Sequence, residues 1–145
     1  MLGSRRQARI TAIKALYELS YTDHTVELVM QRVVAEAGLS PEVSGFAKEL
    51  IQGVMQRITQ IDAVVKRFAP AFPVEQMAVI DNSILRLGTF EILFSDSTPG
   101  KVAINEAVEL AKLFGSDASP RLINGVLGAV MSASGRNNVK GIKEE

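Results

Sequence analysis

The sequence contains no cysteine and a single histidine, His24. The absence of cysteine excludes disulfides, thiolate metal sites and a cysteine nucleophile. With one histidine, neither a histidine-based catalytic triad nor a two-histidine metal site can form. Glu106 and Glu109 have the i, i+3 spacing of metal sites in helical bundles, but such sites require Glu-x-x-His. We therefore expect no enzyme activity, no metal and no cofactor.

The sequence also has no excess of charge of either sign, because 16 basic residues balance 16 acidic ones. A neutral chain does not coat nucleic acid nonspecifically, so any contact with a polyanion must come from a local patch. There is no secretory leader and no apolar stretch of about 18 residues. These features predict a cytoplasmic protein that does not enter a membrane.

The spacing of hydrophobic residues is helical nearly throughout, and no stretch alternates with period two over the length of a strand. We predict an all-α fold, a compact bundle of about six or seven helices. The expected helices cover residues 5–21, 26–37, 44–68 (as one helix or two, with a break near Thr59 and Gln60), 78–95, 102–113 and 120–134. Residues 1–134 are predicted to form one helical domain, and the polar residues 135–145 a flexible tail.

Local signals predict how several helices begin, end and cross. Ser4 and Gln7 fit the S-x-x-Q capping box at the start of the first helix. Gly38 is a natural residue to follow the end of the second helix. Gly125 and Gly128, spaced i, i+3, predict that the last helix crosses a neighbour closely.

Polar residues interrupt several apolar segments and predict an internal hydrogen-bonded network. They are Arg86 and Glu91 in one helix, Asn105 and Glu106 in the next, and Asn124 in the last. A buried polar group must find a hydrogen-bond partner, so a structural role is favoured over a catalytic one.

The first predicted helix carries two apolar stripes. At about 100° per residue, one stripe consists mainly of alanines and a second, roughly opposite, of larger residues: Ala8, Ala12, Ala15, Leu16 and Leu19, and Ile10, Ile13 and Tyr17. A helix with one buried side carries one stripe. Either this helix is enclosed between neighbours, or its second stripe meets a partner.

The segment SRRQAR places Arg5, Arg6 and Arg9 in the first turns of the same helix. The positive end of the helix macrodipole opposes cations there, by about 0.3–1 kcal/mol for each charge. A solvated helix start and a contact with a polyanion both remain open on these residues alone. The electrostatic cost moves the balance toward a polyanionic partner.

Three segments carry a family resemblance. RRQARITAIKALY, ILRLGTFEIL, and KVAINEAVELAKLFG with SPRLINGVL, in this order and spacing, resemble the NusB family of bacterial transcription antitermination factors. The resemblance covers nearly the whole chain, and it implies two packed helical subdomains. It further implies binding of boxA single-stranded RNA in nascent ribosomal transcripts, together with NusE, the ribosomal small-subunit protein ten. The pair would join an RNA polymerase complex that resists termination.

The resemblance also implies which residues bind RNA. In the family, the arginine-rich start of the first helix contributes to RNA binding, which implies this role for Arg5, Arg6 and Arg9. Arg121 matches a basic position near the family's RNA face. Tyr17 ends the ALY motif and is a candidate at the border of RNA or partner.

For the partner NusE, the resemblance implies a contact through acidic residues. Glu75, Asp81 and Asp117 match acidic positions of the family. The chain departs from the family pattern at Ala118, where an acidic residue is common, and at Gln7, where a basic residue is common. The RNA patch is therefore thinner here than in relatives.

Two other functions remain open. The chain could be a protein-interaction scaffold or homodimer that uses the Ile10, Ile13 and Tyr17 stripe as its interface. A similar helical domain also precedes the Rossmann-type catalytic domain of some RNA cytosine methyltransferases. No cofactor-binding glycine motif is present here, and the length of the intact reading frame would distinguish that enzyme.

Overall fold

The computed structural model describes residues 3–69 and 76–135, and these residues form seven α-helices and no strand. The predicted all-α fold is confirmed. In chain order the helices are α1 (Ser4–Tyr21), α2 (Val26–Ala37), α3 (Pro41–Gln56), α4 (Ile58–Phe68), α5 (Val79–Phe94), α6 (Gly100–Phe114) and α7 (Ser119–Ser134). The predicted tail lies outside the described residues except for Gly135.

The chain divides into two compact units, with the boundary between Gln56 and Arg57. Helices α1 to α3 belong to the first unit and α4 to α7 to the second. The break within the long helical stretch 44–68 falls at Arg57, slightly before the position that the sequence suggested. The sequence therefore indicated the helices well and the break between α3 and α4 less closely.

The first unit is built around α1, which packs against both α2 and α3. Ala8, Ala12 and Ala15 are fully buried, and these small side chains let the neighbouring helices approach closely. Ile13, from the second apolar stripe, is buried as well, whereas Ile10 is half-buried and Tyr17 is exposed. Packing on two sides thus explains Ile13 and part of Ile10, as the enclosed alternative expects, but leaves Tyr17 at the surface.

The second unit is built around α5, which contacts α4, α6 and α7. A Cβ atom at Gly88 would lie 2.5 Å from Cδ1 of Leu127, so α5 and α7 cross closely at this glycine. At Gly125 and Gly128 an added Cβ would meet no atom of the described residues within 4 Å. The prediction that these two glycines permit the close crossing is wrong, because the partner helix supplies the glycine.

Charged groups inside the second unit join its helices. Arg86 on α5 donates two hydrogen bonds to Asp62 on α4, Nε to Oδ1 at 2.8 Å and Nη2 to Oδ2 at 2.9 Å. The buried Glu91 accepts a hydrogen bond of 2.9 Å from Thr98 Oγ1, which fixes the loop before α6. Arg86 and Glu91 are therefore hydrogen-bonded, as predicted for buried polar groups, but their partners Asp62 and Thr98 were not part of the predicted network.

Two members of the predicted network lie elsewhere. Asn105 on α6 and Asn124 on α7 are exposed, so their expected burial is wrong. Each lies on the solvent side of a helix whose other side is apolar. A polar residue inside an apolar segment therefore marks an exposed position here, as the helical period allows.

The helix ends follow the predicted signals in part. Gly38 has the left-handed conformation, with φ of 64°, that ends a helix favourably after α2. Ser40 Oγ accepts a hydrogen bond from the Val43 amide at the start of α3. The capping box at Ser4 is wrong, because α1 already includes Ser4 and Gly3 occupies the N-cap without a side-chain hydrogen bond.

Candidate nucleic-acid interface

The start of α1 holds its arginines against an aromatic ring of α3. The guanidinium carbon of Arg5 lies 3.7 Å from the centroid of the Phe46 ring, and that of Arg9 lies 5.4 Å from it. A cation over an aromatic face gains about 0.5–1 kcal/mol at an exposed site. This contact offsets part of the unfavourable interaction between the arginines and the helix dipole.

The arginines of this cluster differ in exposure. Arg5 is exposed and Arg6 is half-buried, but Arg9 is only 3% exposed. Arg9 is thus packed beside Phe46 and shielded from solvent. Its guanidinium can contact a ligand only after a rearrangement. A direct contact of Arg9 with RNA stays a prediction, and in this structure Arg9 positions the ring that carries Arg5.

The exposed face of α1 continues toward its C-terminal end with two tyrosines. Tyr17 is 39% exposed and Tyr21 is 63% exposed. Their ring centroids lie 5.0 Å apart in an edge-to-face arrangement, and Tyr17 Oη donates to Tyr21 Oη at 3.4 Å. This hydrogen bond is the main cause of the raised pKa of Tyr17. Sequence reasoning missed Tyr21, although its i+4 spacing from Tyr17 was a usable signal.

A charged cluster connects the end of α1 with α2. Glu18 accepts from Arg32, and its Oε2 lies 2.9 Å from Nδ1 of His24. The pKa of Glu18 is lowered, chiefly by its hydrogen bond with Arg32 and then by that with His24. The carboxylate nearest the tyrosines is therefore compensated by cationic and polar neighbours.

The other predicted site residues belong to the second unit. Arg121 is exposed in the first turn of α7, and Asp117 is exposed in the loop before it. Asp81 lies in the first turn of α5, is 7% exposed, and its Oδ1 has no hydrogen-bond partner among the residues that the structure describes. A buried acceptor without a donor is costly, but at this depth a partner chain reaches it only after a rearrangement. Glu75 lies outside the described residues.

The described part of the chain offers no other chemistry of the kinds considered above. Within residues 3–69 and 76–135, no group of three or more His, Cys, Asp or Glu side chains could hold a metal ion. None of the helices described is long and apolar enough to cross a membrane. The cationic and aromatic face of α1 is thus the leading candidate for a binding site.

The sequence matches one protein family over most of its length. Residues 6–132 match the NusB family. A transcription antitermination protein NusB from Roseiflexus sp. (strain RS-1) is 43% identical over 134 residues, which cover 91% of this chain and 94% of that protein. Both findings agree with the resemblance carried by the α1, α5, α6 and α7 segments.

The fold matches solved structures of the same kind. NusB from T. maritima has a TM-score of 0.83 and 28% identity, and the match covers 91% of this chain and 93% of that one. A chain in the crystal structure of the antitermination factors NusB and NusE in complex with dsRNA has a TM-score of 0.83 and 25% identity. That match covers 92% of this chain and 99% of the other.

Proposed function

This chain belongs to the NusB family of transcription antitermination factors, which are not enzymes, and on that premise we propose that it binds boxA-type single-stranded RNA. It does so in nascent ribosomal RNA transcripts, as a heterodimer with NusE. The heterodimer then joins the RNA polymerase complex in the cytoplasm and helps the polymerase to resist termination.

The observation that carries the proposal is the arginine cluster on Phe46. Arg5 is exposed and held over the ring, with Arg6 next to it in the first turn of α1. A guanidinium also presents several N–H donors in a fork that matches the geometry of a phosphate. Arg121, exposed at the start of α7, supplies a further cation in the second unit.

The NusE half of the proposal rests on the solved complex and on acidic residues of the second unit. A related fold is found with NusE and dsRNA in one crystal structure. Asp117 is exposed and can meet a partner chain directly, whereas Asp81 is buried and reaches one only after a rearrangement. Glu75 is the third acidic residue in this proposed contact. The preference for single-stranded over double-stranded RNA is part of the proposal and requires both forms as probes.

The test is a titration of labelled boxA RNA with this chain, alone and with NusE, at two salt concentrations. NusE should tighten binding, and R5A/R6A should weaken it by about tenfold or more at low salt, because charged hydrogen bonds are lost. The slope of log affinity against log salt should fall by about 0.7 for each phosphate contact removed. A matched double variant, K66A/R67A, removes two exposed cations from α4 of the second unit and should change little.

Two results would count against the proposal. One is an affinity that NusE does not change, and the other is an equal loss in R5A/R6A and K66A/R67A. The alternative is a homodimer through the second stripe of α1. The burial of Ile13 leaves only Ile10 and Tyr17 of that stripe with accessible surface for such an interface. A dimer that persists in saturating RNA by size-exclusion chromatography would favour it.

A further inference from the structure

We infer that the RNA surface of α1 extends past its arginines to Tyr21, whose ring stacks on a base, with Lys14 contacting a phosphate between them. This inference rests on the proposed function and adds residues that the family resemblance does not supply. It concerns one face of one helix within the first unit.

Five residues of α1 lie on one face of the helix. At about 100° per residue, Arg6, Ile10, Lys14, Tyr17 and Tyr21 fall within about 80° of one another around the axis of α1. All five are exposed or half-buried, whereas the helix buries the side that faces α2 and α3. Arg6 and the tyrosine pair thus belong to one continuous solvent-facing surface, whereas Arg5 lies about 100° from Arg6 around the helix axis, over Phe46 of α3.

This surface is long enough for several nucleotides. Arg6 and Tyr21 are about 22 Å apart along the helix axis at 1.5 Å per residue. A stacked strand advances about 3.4 Å per nucleotide, so the face spans about six nucleotides. A short single strand that is anchored at the arginines therefore reaches the tyrosines.

The tyrosine pair, Tyr17 and Tyr21, has the chemistry that suits a single strand. Single-stranded nucleic acid is bound by cationic groups that follow its backbone and by aromatic rings on which bases stack. Tyr17 meets Tyr21 edge to face, which orients the Tyr21 ring and leaves it the more exposed of the two, at 63%. The Tyr21 ring is exposed and held in place by Tyr17, and the cations Arg6 and Lys14 precede it along the same face. This arrangement suits the stacking of a base on Tyr21.

The charges around the tyrosines are compatible with a bound polyanion. Glu18 is the acidic residue on α1 closest in sequence to the tyrosines, and Arg32 and His24 both engage its carboxylate. Lys14 is exposed one turn before Tyr17, on the same face. Asp23 and Glu27, which follow α1, are exposed carboxylates and set the end of the surface at Tyr21.

The test compares substitutions of Tyr21 in complexes of this chain, NusE and labelled boxA RNA. Tyr21→Ala should weaken RNA binding by about five- to 150-fold, the effect of removing a stacking aromatic. The salt slope should stay unchanged, because no phosphate contact is lost. Tyr21→Phe should bind within about twofold of the parent chain, and Lys14→Ala should reduce the salt slope by about 0.7.

The matched control is Leu28→Ala, which removes another large exposed side chain of the first unit, 65% exposed on α2. It should leave RNA affinity within about twofold of the parent. A second readout is available because Tyr17 and Tyr21 are the two tyrosines of a chain without tryptophan. The difference in emission between the parent and Tyr21→Phe complexes reports Tyr21 alone, and saturating RNA should quench it.

The outcomes separate this inference from the proposed function. If the parent chain with NusE does not bind boxA RNA, both fail. If R5A/R6A weakens binding but Tyr21→Ala keeps the parent affinity and Tyr21 emission is not quenched, the inference alone is overturned. A loss of NusE affinity in Tyr21→Ala without RNA would also overturn it, since the face would then bind protein.

Discussion

The two units of the chain use arginine in opposite ways. In the first unit, Arg5 lies over the face of Phe46 at the surface. In the second, Arg86 donates two hydrogen bonds to Asp62 and is mostly buried. A ring contacts the face of a guanidinium, whereas a bidentate carboxylate occupies two of its N–H donors. The same residue type is therefore held at the surface against a ring in one unit and used to join helices in the other.

From this difference between the two units we expect substitutions in the first unit to affect binding and substitutions in the second to affect folding. The exposed contacts of the first unit contribute little to stability, because solvent competes with them. The buried contacts of the second unit contribute more, since their loss leaves poor packing or unpaired groups. Three variants test this division.

The largest effect on stability should come from the crossing of α5 and α7. Gly88→Val places new atoms against the buried Leu127 and should lower the free energy of unfolding by about 1–3 kcal/mol, the usual cost of overpacking. Gly125→Val is the matched control, because the space around its Cβ is open. It should change the free energy by less than about 0.5 kcal/mol, as helix propensities predict. Urea unfolding followed by circular dichroism measures both, and equal losses would contradict the close crossing.

A smaller effect should come from the ion pair between α4 and α5. Arg86→Ala should lower the free energy of unfolding by about 1–2 kcal/mol, because Asp62 loses two charged hydrogen bonds while staying partly solvated. Removing the surface pair of Lys112 and Glu109 by Lys112→Ala should cost no more than about 0.5 kcal/mol. A double-mutant cycle of Arg86 and Asp62 isolates the pair, and a coupling near zero would show that the second unit does not depend on it.

The smallest effect should be the pH dependence that Glu18 gives to the first unit. Its pKa is lower in the folded chain than in the unfolded one, chiefly because of Arg32. Its contribution to stability is therefore complete above the unfolded pKa of about 4.3, and it is lost as pH falls through the lowered folded pKa.

The measurement is urea unfolding between about pH 5 and pH 3, a range that extends from above to below the unfolded pKa. Glu18→Gln should flatten the decline of stability in this range relative to the parent chain. Glu49→Gln, at an exposed position of α3, serves as the control. An unchanged decline in Glu18→Gln would mean that the cluster with Arg32 and His24 does not form in solution.

The sequence predicted most of the helical framework because local signals determine it. The period of apolar residues located α1 to within one residue at its start, and Gly38 marked the end of α2. Helix crossings depend instead on which residues of another helix lie opposite. The sequence pointed to Gly125 and Gly128, while the crossing uses Gly88 against Leu127. A spacing within one helix does not show which face meets a neighbour.

The candidate site was predictable in its location and less so in its details. The three arginines at the start of α1 identified the region. The burial of Arg9 depends on Phe46, which comes from another helix, so α1 alone gave no sign of it. Tyr21 lies on the side of α1 that carries the second apolar stripe, but as the last residue of the helix it was not counted in that stripe. Its value as a ring becomes visible only beside Tyr17.

The ring contact of Arg5 also bears on the entropy of binding. A flexible charged side chain loses about 0.5–1.5 kcal/mol of rotamer freedom when a ligand immobilises it. Because Phe46 already restricts Arg5 in the unbound chain, part of that loss occurs during folding and is not repeated in the proposed complex with RNA. In the proposed function, Phe46 therefore contributes to binding through the motions that it suppresses, although its ring contacts an arginine of the same chain.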